Sequence, residues 1–312
     1  VTSQAWQNAL AAPADRSAWR VWADELLSAG DPRGEWLQLE LDAEEGPLRG
    51  LARGRLMQLR EEGLARILPP GVEVAHAKTW RSLLISARVH VARAAAPEDP
   101  RWFSVRHLSF FFQTRPPTIA QWRRTPLVAG SIDALDSVTE LELEGLQVLA
   151  EGPPRPRLTR VGGLWPLGRV PAVPPTEFVR AWRSVLARHP GVADVHLGWL
   201  GPIDGASRVL EPLLDPRLTR CSVEGSPDEL PGYDAWVRDT GFAGELVVEL
   251  RQTSLLRASV VVGRDVLVLR AVPRVAQDAT RSVQDGFSRR GLSARVTLAP
   301  PLAGIEPFPP PR

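Results

Sequence analysis

Cysteine is nearly absent from this chain: Cys221 stands alone, which excludes an intrachain disulfide framework and any thiolate cluster for zinc or iron–sulfur. Lying in a strand-like segment, that thiol reads as core. Lysine is equally scarce. Lys78 is the only one, so the cationic side is almost wholly arginine, a bias that a GC-rich coding sequence accounts for without selection for phosphate binding. Long apolar runs are missing too. The two longest, 255–262 and 266–272, are interrupted by Arg257, Gly263, Arg264, Asp265 and Arg270, whereas a membrane span needs about 20 apolar residues. Residues 1–10 lack a basic region followed by an apolar stretch and a small-residue cleavage site, so the expectation is a cytoplasmic protein with no membrane partner. Nor is there a large excess of either charge: 38 Lys and Arg face 36 Asp and Glu, a formal +2. With the two signs spread along the chain, the case for nucleic-acid binding is weak.

Enzyme signatures are missing as well. The five histidines, His76, His90, His107, His189 and His196, form no His-x-x-x-His or His-Glu-x-x-His pair and have no thiolate to complete a metal site. No nucleophile elbow, phosphate-binding loop or dinucleotide-binding glycine pattern occurs. A non-enzyme without metal or cofactor is expected, and no catalytic residue is assigned.

What is present is a hydrophobic content of 44 %, enough for a substantial core in a chain of this length. In 16–29, Trp19, Trp22, Ala23, Leu26 and Leu27 recur at helical spacing behind Asp15 as N-cap. Gly30 is suited to the left-handed helix end and Pro32 forbids continuation. A second helix is predicted over 35–43, burying Trp36, Leu37 and Leu41, and a third over 48–67, ended by Pro69-Pro70-Gly71. In the turn, Asp31 is expected to accept backbone N–H bonds, Arg33 to pair with Asp24 across the hairpin, and Gly34 to permit close approach of the helices.

The run Arg20-Val21-Trp22-Ala23-Asp24-Glu25-Leu26-Leu27 followed by Gly30-Asp31-Pro32-Arg33-Gly34-Glu35 resembles the bacterial repeat-companion domain family. In that family an Arg-x-x-x-Ala-Asp-Trp-Leu helix leads into Gly-Asp-Pro-Arg-Gly-Glu and a following helix. Here Glu25 stands where the family has tryptophan, and Trp22 where it has tyrosine. The direct resemblance covers about one tenth of the chain. It implies a helical module that accompanies leucine-rich-repeat-like segments, and it carries no activity with it.

From about Trp80 the pattern turns to short β-prone segments: 83–91, 105–112, 138–143, 158–162, 192–197 and 218–223, roughly 20 to 35 residues apart. Pro156-Arg157-Leu158-Thr159-Arg160 recurs as Pro216-Arg217-Leu218-Thr219-Arg220, and 178–189 reads as an amphipathic helix between strands. Strand, connection, helix, strand is the logic of a solenoid whose strands line one extended surface, although the asparagine ladder of standard leucine-rich repeats is missing. After Gly241 the order is β-β-β-α-β, with strands at 246–251, 258–262 and 266–272, a Gly263-Arg264-Asp265 hairpin, a helix over 275–290 and a last strand at 294–298.

The predicted class is therefore α+β: a helical module (1–75), a degenerate leucine-rich-repeat-like region (76–240), a small α+β unit or solenoid cap (241–299), and a proline-rich tail (300–312). A mixed α+β domain is the alternative for the middle region. Of the consecutive Phe110, Phe111 and Phe112, at least one ring must take each sheet face; a strand buried on both sides is favoured over an exposed contact. Trp122 and Trp182, flanked by arginines, are read as amphipathic helix surfaces. The expected function is a protein-interaction scaffold contacting its partner through Arg33, Phe111, Trp165, His196 and Trp199. A nucleic-acid-associated regulatory module is the alternative.

Overall fold

The computed structural model describes residues 3–69, 71–74, 77–93, 97–112, 117–128, 132–163, 175–199, 210–250, 258–262, 267–271, 273–293 and 295–299. Four helices come first: α1 (Gln4–Ala11), α2 (Arg16–Ser28), α3 (Arg33–Glu45) and α4 (Gly50–Ile67). Asp15 caps α2 as the sequence predicts, its Oδ1 accepting the Ser17 N–H at 2.9 Å, and Gly30 ends the helix at φ 71°, a conformation that favours glycine. Helix α1 was not predicted. Ser3 caps it, its Oγ accepting the Trp6 N–H, and Trp6 packs on Trp19, Trp22 and Phe103, so tertiary contacts sustain eight residues that are marginal as an isolated helix.

Gly34 sets the distance between α2 and α3. A Cβ there would lie 2.7 Å from both Ala23 O and Leu27 N, which are backbone atoms that no rotamer change can move aside. Gly34→Ala is expected to lower the unfolding free energy by about 2 kcal/mol in urea denaturation, overpacking outweighing the better helix propensity of alanine. An unchanged midpoint would mean that the two helices part at no cost.

Among the described residues eleven strands then form one sheet in chain order: β1 (Lys78–Trp80), β2 (Leu83–His90), β3 (His107–Phe111), β4 (Ser137–Leu141), β5 (Arg160–Gly163), β6 (Asp194–Trp199), β7 (Arg220–Gly225), β8 (Glu245–Leu250), β9 (Ala258–Val262), β10 (Leu267–Ala271) and β11 (Val296–Ala299). From β2 to β8 every pairing is parallel. β9 runs antiparallel to both neighbours, and β11 is parallel to β10. Ser86, His107, Ser137, Arg160, Asp194, Arg220 and Glu245 are register partners in succession, between 21 (Ser86 to His107) and 34 (Arg160 to Asp194) residues apart. The backbone repeats with them. Asp136 and Ser137 both donate to Arg106 O, Thr159 and Arg160 to Asp136 O, Ala193 and Asp194 to Thr159 O, and Thr219 and Arg220 to Ala193 O.

The described connections carry α5 (Ile119–Trp122), α6 (Leu143–Glu151), α7 (Pro175–Arg188), α8 (Leu230–Thr240) and α9 (Pro273–Ser288). The strands at 83–90 and 107–111 and the later ones lie on the predicted segments, with ends moved by one or two residues. Helices α5, α6 and α8 are additions. In α6 the predicted strand to Leu143 stops at Leu141, and Leu143 already starts the helix. The apolar strand face, with Val89, Phe110, Val138, Val161, Val195, Val223 and Val248, forms one core with Trp122, Leu146, Phe178, Trp182, Tyr233 and Phe287 of the helices. Trp122 and Trp182 are thus fully buried, not surface residues, because each indole faces the sheet while its flanking arginines point outward.

A second cluster, Trp6, Trp19, Trp22, Leu37, Leu41, Leu83 and Ile85, joins the helical module to β2. The hairpin between β1 and β2 closes with only Arg81 and Ser82, at φ 48° and 58°. Two-residue hairpin loops need positive φ at both positions and usually take Asn-Gly; here α3 holds the strained pair. Arg81 Nε and Nη2 donate to both Glu44 carboxylate oxygens at 3.1 and 2.8 Å, and Nη1 donates to Pro13 O at 2.7 Å. Ser82 N–H donates to Glu40 Oε2 at 2.9 Å.

Candidate protein-interaction face

Strand residues alternate between the two sheet faces. With the apolar set turned to the helices, the opposite face of β2 to β6 displays Ser86, Arg88 and His90, then His107, Ser109 and Phe111, then Ser137, Thr139 and Glu140, then Arg160, then Asp194 and His196, all half-exposed. Beyond them Ser222 and Val247 are buried, while Arg220 and Glu224 are half-exposed and Glu245 and Glu249 exposed on the same face, so the face continues past β6 as a more strongly charged strip. A groove of about 610 Å³ runs over it between Lys78, Ser86, His107, Thr139, Arg160 and Asp194. One row across the strands alternates in sign from Arg160 through Asp194 and Arg220 to Glu245. Arg160 Nε stands 3.7 Å from Asp194 Oδ2, and among the described residues Arg160 Nε, Asp194 Oδ1 and Arg220 Nε have no hydrogen-bond partner.

Glu140 gives this face its sharpest local feature. It takes φ 63° at an irregularity between Val138 and Leu141, so that Thr139 and Glu140 are both half-exposed in succession. A non-glycine residue there costs about 1–2 kcal/mol. The bulge turns its carboxylate back over β3 to Arg88 of β2, at 3.3 Å. Arg88 in turn lies over the Phe111 ring at 5.0 Å, and His90 meets the same ring edge-on at 5.0 Å. Phe111 is therefore half-exposed on this face while Phe110 is buried on the other. The expectation of a strand buried on both sides is corrected, since among the described residues helices cover only one face here.

Two histidine–serine pairs lie in successive rows of this face: His107 Nδ1 to Ser137 Oγ at 2.8 Å and His196 Nδ1 to Ser222 Oγ at 2.9 Å, each between register partners on adjacent strands. The Ser137 N–H is committed to Arg106 O and its neighbour Asp136 N–H to the same carbonyl, so these amides offer no oxyanion donors to a serine nucleophile. Burial lowers the pKa of His107 and His196 and raises those of Asp136 and Asp194, so desolvation disfavours the charged form of all four.

His189, in the core, is lowered in the same way. It is fully buried, its Nδ1 accepting the Arg155 N–H at 3.2 Å and its Nε2 donating to Leu149 O at 3.1 Å. In the unfolded chain these histidines protonate near 6.5, but in the fold only at lower pH. The unfolded state therefore binds more protons below 6.5, and stability falls as the pH is lowered there. Asp136 and Asp194 act oppositely, taking up protons in the fold before they do so unfolded. Urea midpoints are expected to fall between pH 7 and pH 5, with a shallower slope in His189→Asn. An equal slope in that variant would place the proton uptake elsewhere.

Of the residues expected from sequence to contact a partner, Phe111 and His196 share this face. Trp199 is the last residue of β6, and Trp165 lies outside the described residues. Arg33 is elsewhere, at the start of α3. It does not pair with Asp24, as expected, but with Asp31: Nε and Nη2 reach the carboxylate at 2.6–3.1 Å while Asp31 Oδ1 accepts the Arg33 N–H at 2.9 Å. Asp24 instead accepts from Gln38 Nε2 at 2.8 Å. The same Asp-Pro-Arg unit recurs at 99–101 and 215–217 with the same bonds. The arginines hold their aspartate carboxyls below the usual range, most simply at Asp99 and Asp215. Three Asp-Pro-Arg triplets are visible in the sequence, and that recurrence is the signal which identifies these self-closing turns.

Among the described residues no group of three or more His, Cys, Asp or Glu side chains is arranged to hold a metal ion, and no helix is long and apolar enough to cross a membrane. Comparisons with protein-family models, curated proteins and solved structures give no match.

Proposed function

We propose that this chain is a non-catalytic protein-interaction scaffold or adaptor, a cytoplasmic subunit of a bacterial protein complex, that binds its partner through the half-exposed face of β2 to β6. The observation that carries the reading is the half-exposed set of polar and charged side chains on that face, Arg160 and Asp194 among them, beside an aromatic ring held by Arg88 and His90. The half-exposed polar groups offer hydrogen bonds to a partner at the rim, and Phe111 supplies buried area. Alternation of sign along the row suits a protein surface better than a phosphate backbone, which calls for an unbroken positive stripe. In-order parallel strands 21 to 34 residues apart support reading the middle region as degenerate leucine-rich-repeat-like, and the capped α2–α3 hairpin supports the repeat-companion-like module. Phe111 and His196 are the proposed contacts; Arg33, Trp165 and Trp199 complete the proposed set from sequence.

The test is affinity capture of the full tagged chain from its native lysate at low and moderate salt, with and without nuclease, beside Phe111→Ala. A stoichiometric protein that survives salt and nuclease and is lost from the variant at unchanged melting temperature is expected. Recovery of nuclease-sensitive material alone, or equal capture by the variant, overturns the reading.

A further inference from the structure

A second concavity, of about 490 Å³, lies where the helical module meets β2, away from the open sheet face. Its size is in the range of small-ligand sites. One side is apolar, formed by Ile67, Leu83, Leu84 and the exposed ring of Phe103; the other presents Arg33, Arg66 and Arg101 with Asp31.

These guanidinium groups are not equivalent. Arg33 and Arg101 belong to two of the Asp-Pro-Arg turns, each locked by its own aspartate, so their orientation is fixed before any ligand arrives and their charge is balanced. Arg66, exposed in the last turn of α4, has neither a hydrogen bond nor an ion pair among the described residues; the Asp31 carboxylate attracts it from a distance, but with Asp31 and Asp99 already bound to Arg33 and Arg101 it leaves the groove with excess positive charge. A second and independent feature is Ser82. Its side chain is fully buried at the groove wall, and its Oγ has no hydrogen-bond partner among the described residues, while its own N–H is already held by Glu40. Buried hydroxyls are rarely left without a partner.

We propose that this groove is an oxyanion-binding site, taking a phosphate or carboxylate carried on an apolar body. Arg66 supplies the net charge, Ser82 Oγ a hydrogen bond, the locked Arg33 and Arg101 an oriented cationic rim, and Phe103 with Leu83 and Leu84 the apolar wall. The anion comes either from a phosphate-bearing small molecule or from the terminal carboxylate of a peptide with an apolar last residue, and the two sources share this chemistry. The inference does not depend on the open sheet face, which contains none of these residues.

Isothermal calorimetry of the full chain at constant ionic strength, with phenyl phosphate, N-acetylphenylalanine and inorganic phosphate as probes, tests it. One of the two organic anions is expected to bind one-to-one at least about ten-fold tighter than inorganic phosphate, because only it uses the apolar wall. Whichever organic anion binds tighter assigns the source. Arg66→Ala is expected to weaken binding about ten-fold. Ser82→Gly removes the hydroxyl yet tolerates the positive φ, and it is expected to weaken binding about five-fold. Organic anions that bind no tighter than inorganic phosphate, or that bind both variants like the parent at unchanged melting temperature, overturn the proposal.

Discussion

Arg81→Ala is expected to lower the unfolding free energy by about 3 kcal/mol, the cost of losing a buried guanidinium's packing together with its bonds to a part-exposed carboxylate and a backbone carbonyl. The Arg81 side chain is only 6 % exposed. It grips both Glu44 oxygens and Pro13 O while its guanidinium lies 5.0 Å from the Trp19 ring centre and 4.5 Å from that of Trp80. Alanine removes all of these at once, yet keeps a left-handed backbone position that only the surrounding bonds sustain. Arg81→Lys is expected to regain less than half of the loss, since one ammonium cannot reproduce the fork or the stacking. Urea denaturation followed by tryptophan fluorescence reads both, as Trp19 and Trp80 sit against the guanidinium. A loss below about 1 kcal/mol, the range of exposed pairs, would show that the hairpin is held by its apolar neighbours alone.

A loss of comparable size, about 4 kcal/mol, is expected for Arg155→Ala. Arg155 is a charged residue inside the core, 2 % exposed. Its Nη1 donates to Ile132 O at 2.9 Å, and Nη2 to Leu127 O at 2.6 Å and Pro126 O at 3.4 Å. Burial brings its pKa down to about 10, so it is still charged at neutral pH, and carbonyl dipoles meet that charge. The arginine satisfies the backbone of the irregular connection between α5 and β4. Without it, interior carbonyls lose their donors and a cavity opens beside His189. Arg155→Met separates the two costs: it refills much of the volume and restores no bond, so it should recover only the smaller share. Full recovery by methionine would mean that packing, and not the carbonyl bonds, is what Arg155 contributes. Hydrogen exchange should quicken at the Leu135 amide, which donates to Ile132 O, before global unfolding.

Much of this architecture was legible in the residues. Asp15, Gly30 and Pro32 bound α2, and the alternation in 107–111 and 194–199 marks strands, because caps and side-chain periodicity act within a few residues of where they are written. Gly34 was readable for the same reason, since a tight turn between two helices leaves no room for a side chain. The recurrence of Pro-Arg-Leu-Thr-Arg marked equivalent strand entries, at Arg160 and Arg220, that prove to be register neighbours of the same intervening Asp194.

Other features depend on atoms far apart in the chain. Which face of Phe110 and Phe111 is covered follows from the helices landing on one side of the sheet. That Asp24 takes Gln38, leaving Arg33 to Asp31, follows from which side chains come within reach once α2 and α3 are packed. The left-handed Glu140 becomes tolerable through Arg88, 52 residues away, and the strained Arg81–Ser82 turn through Glu44 and Glu40 of α3. The sequence by itself determined α2, α3, α4, α7 and α9, most strands and their spacing, because those rest on local energies of about 1 kcal/mol per cap or turn. The tertiary structure alone decided which side chains are left facing outward, because burial and ion pairing are settled only when distant segments meet.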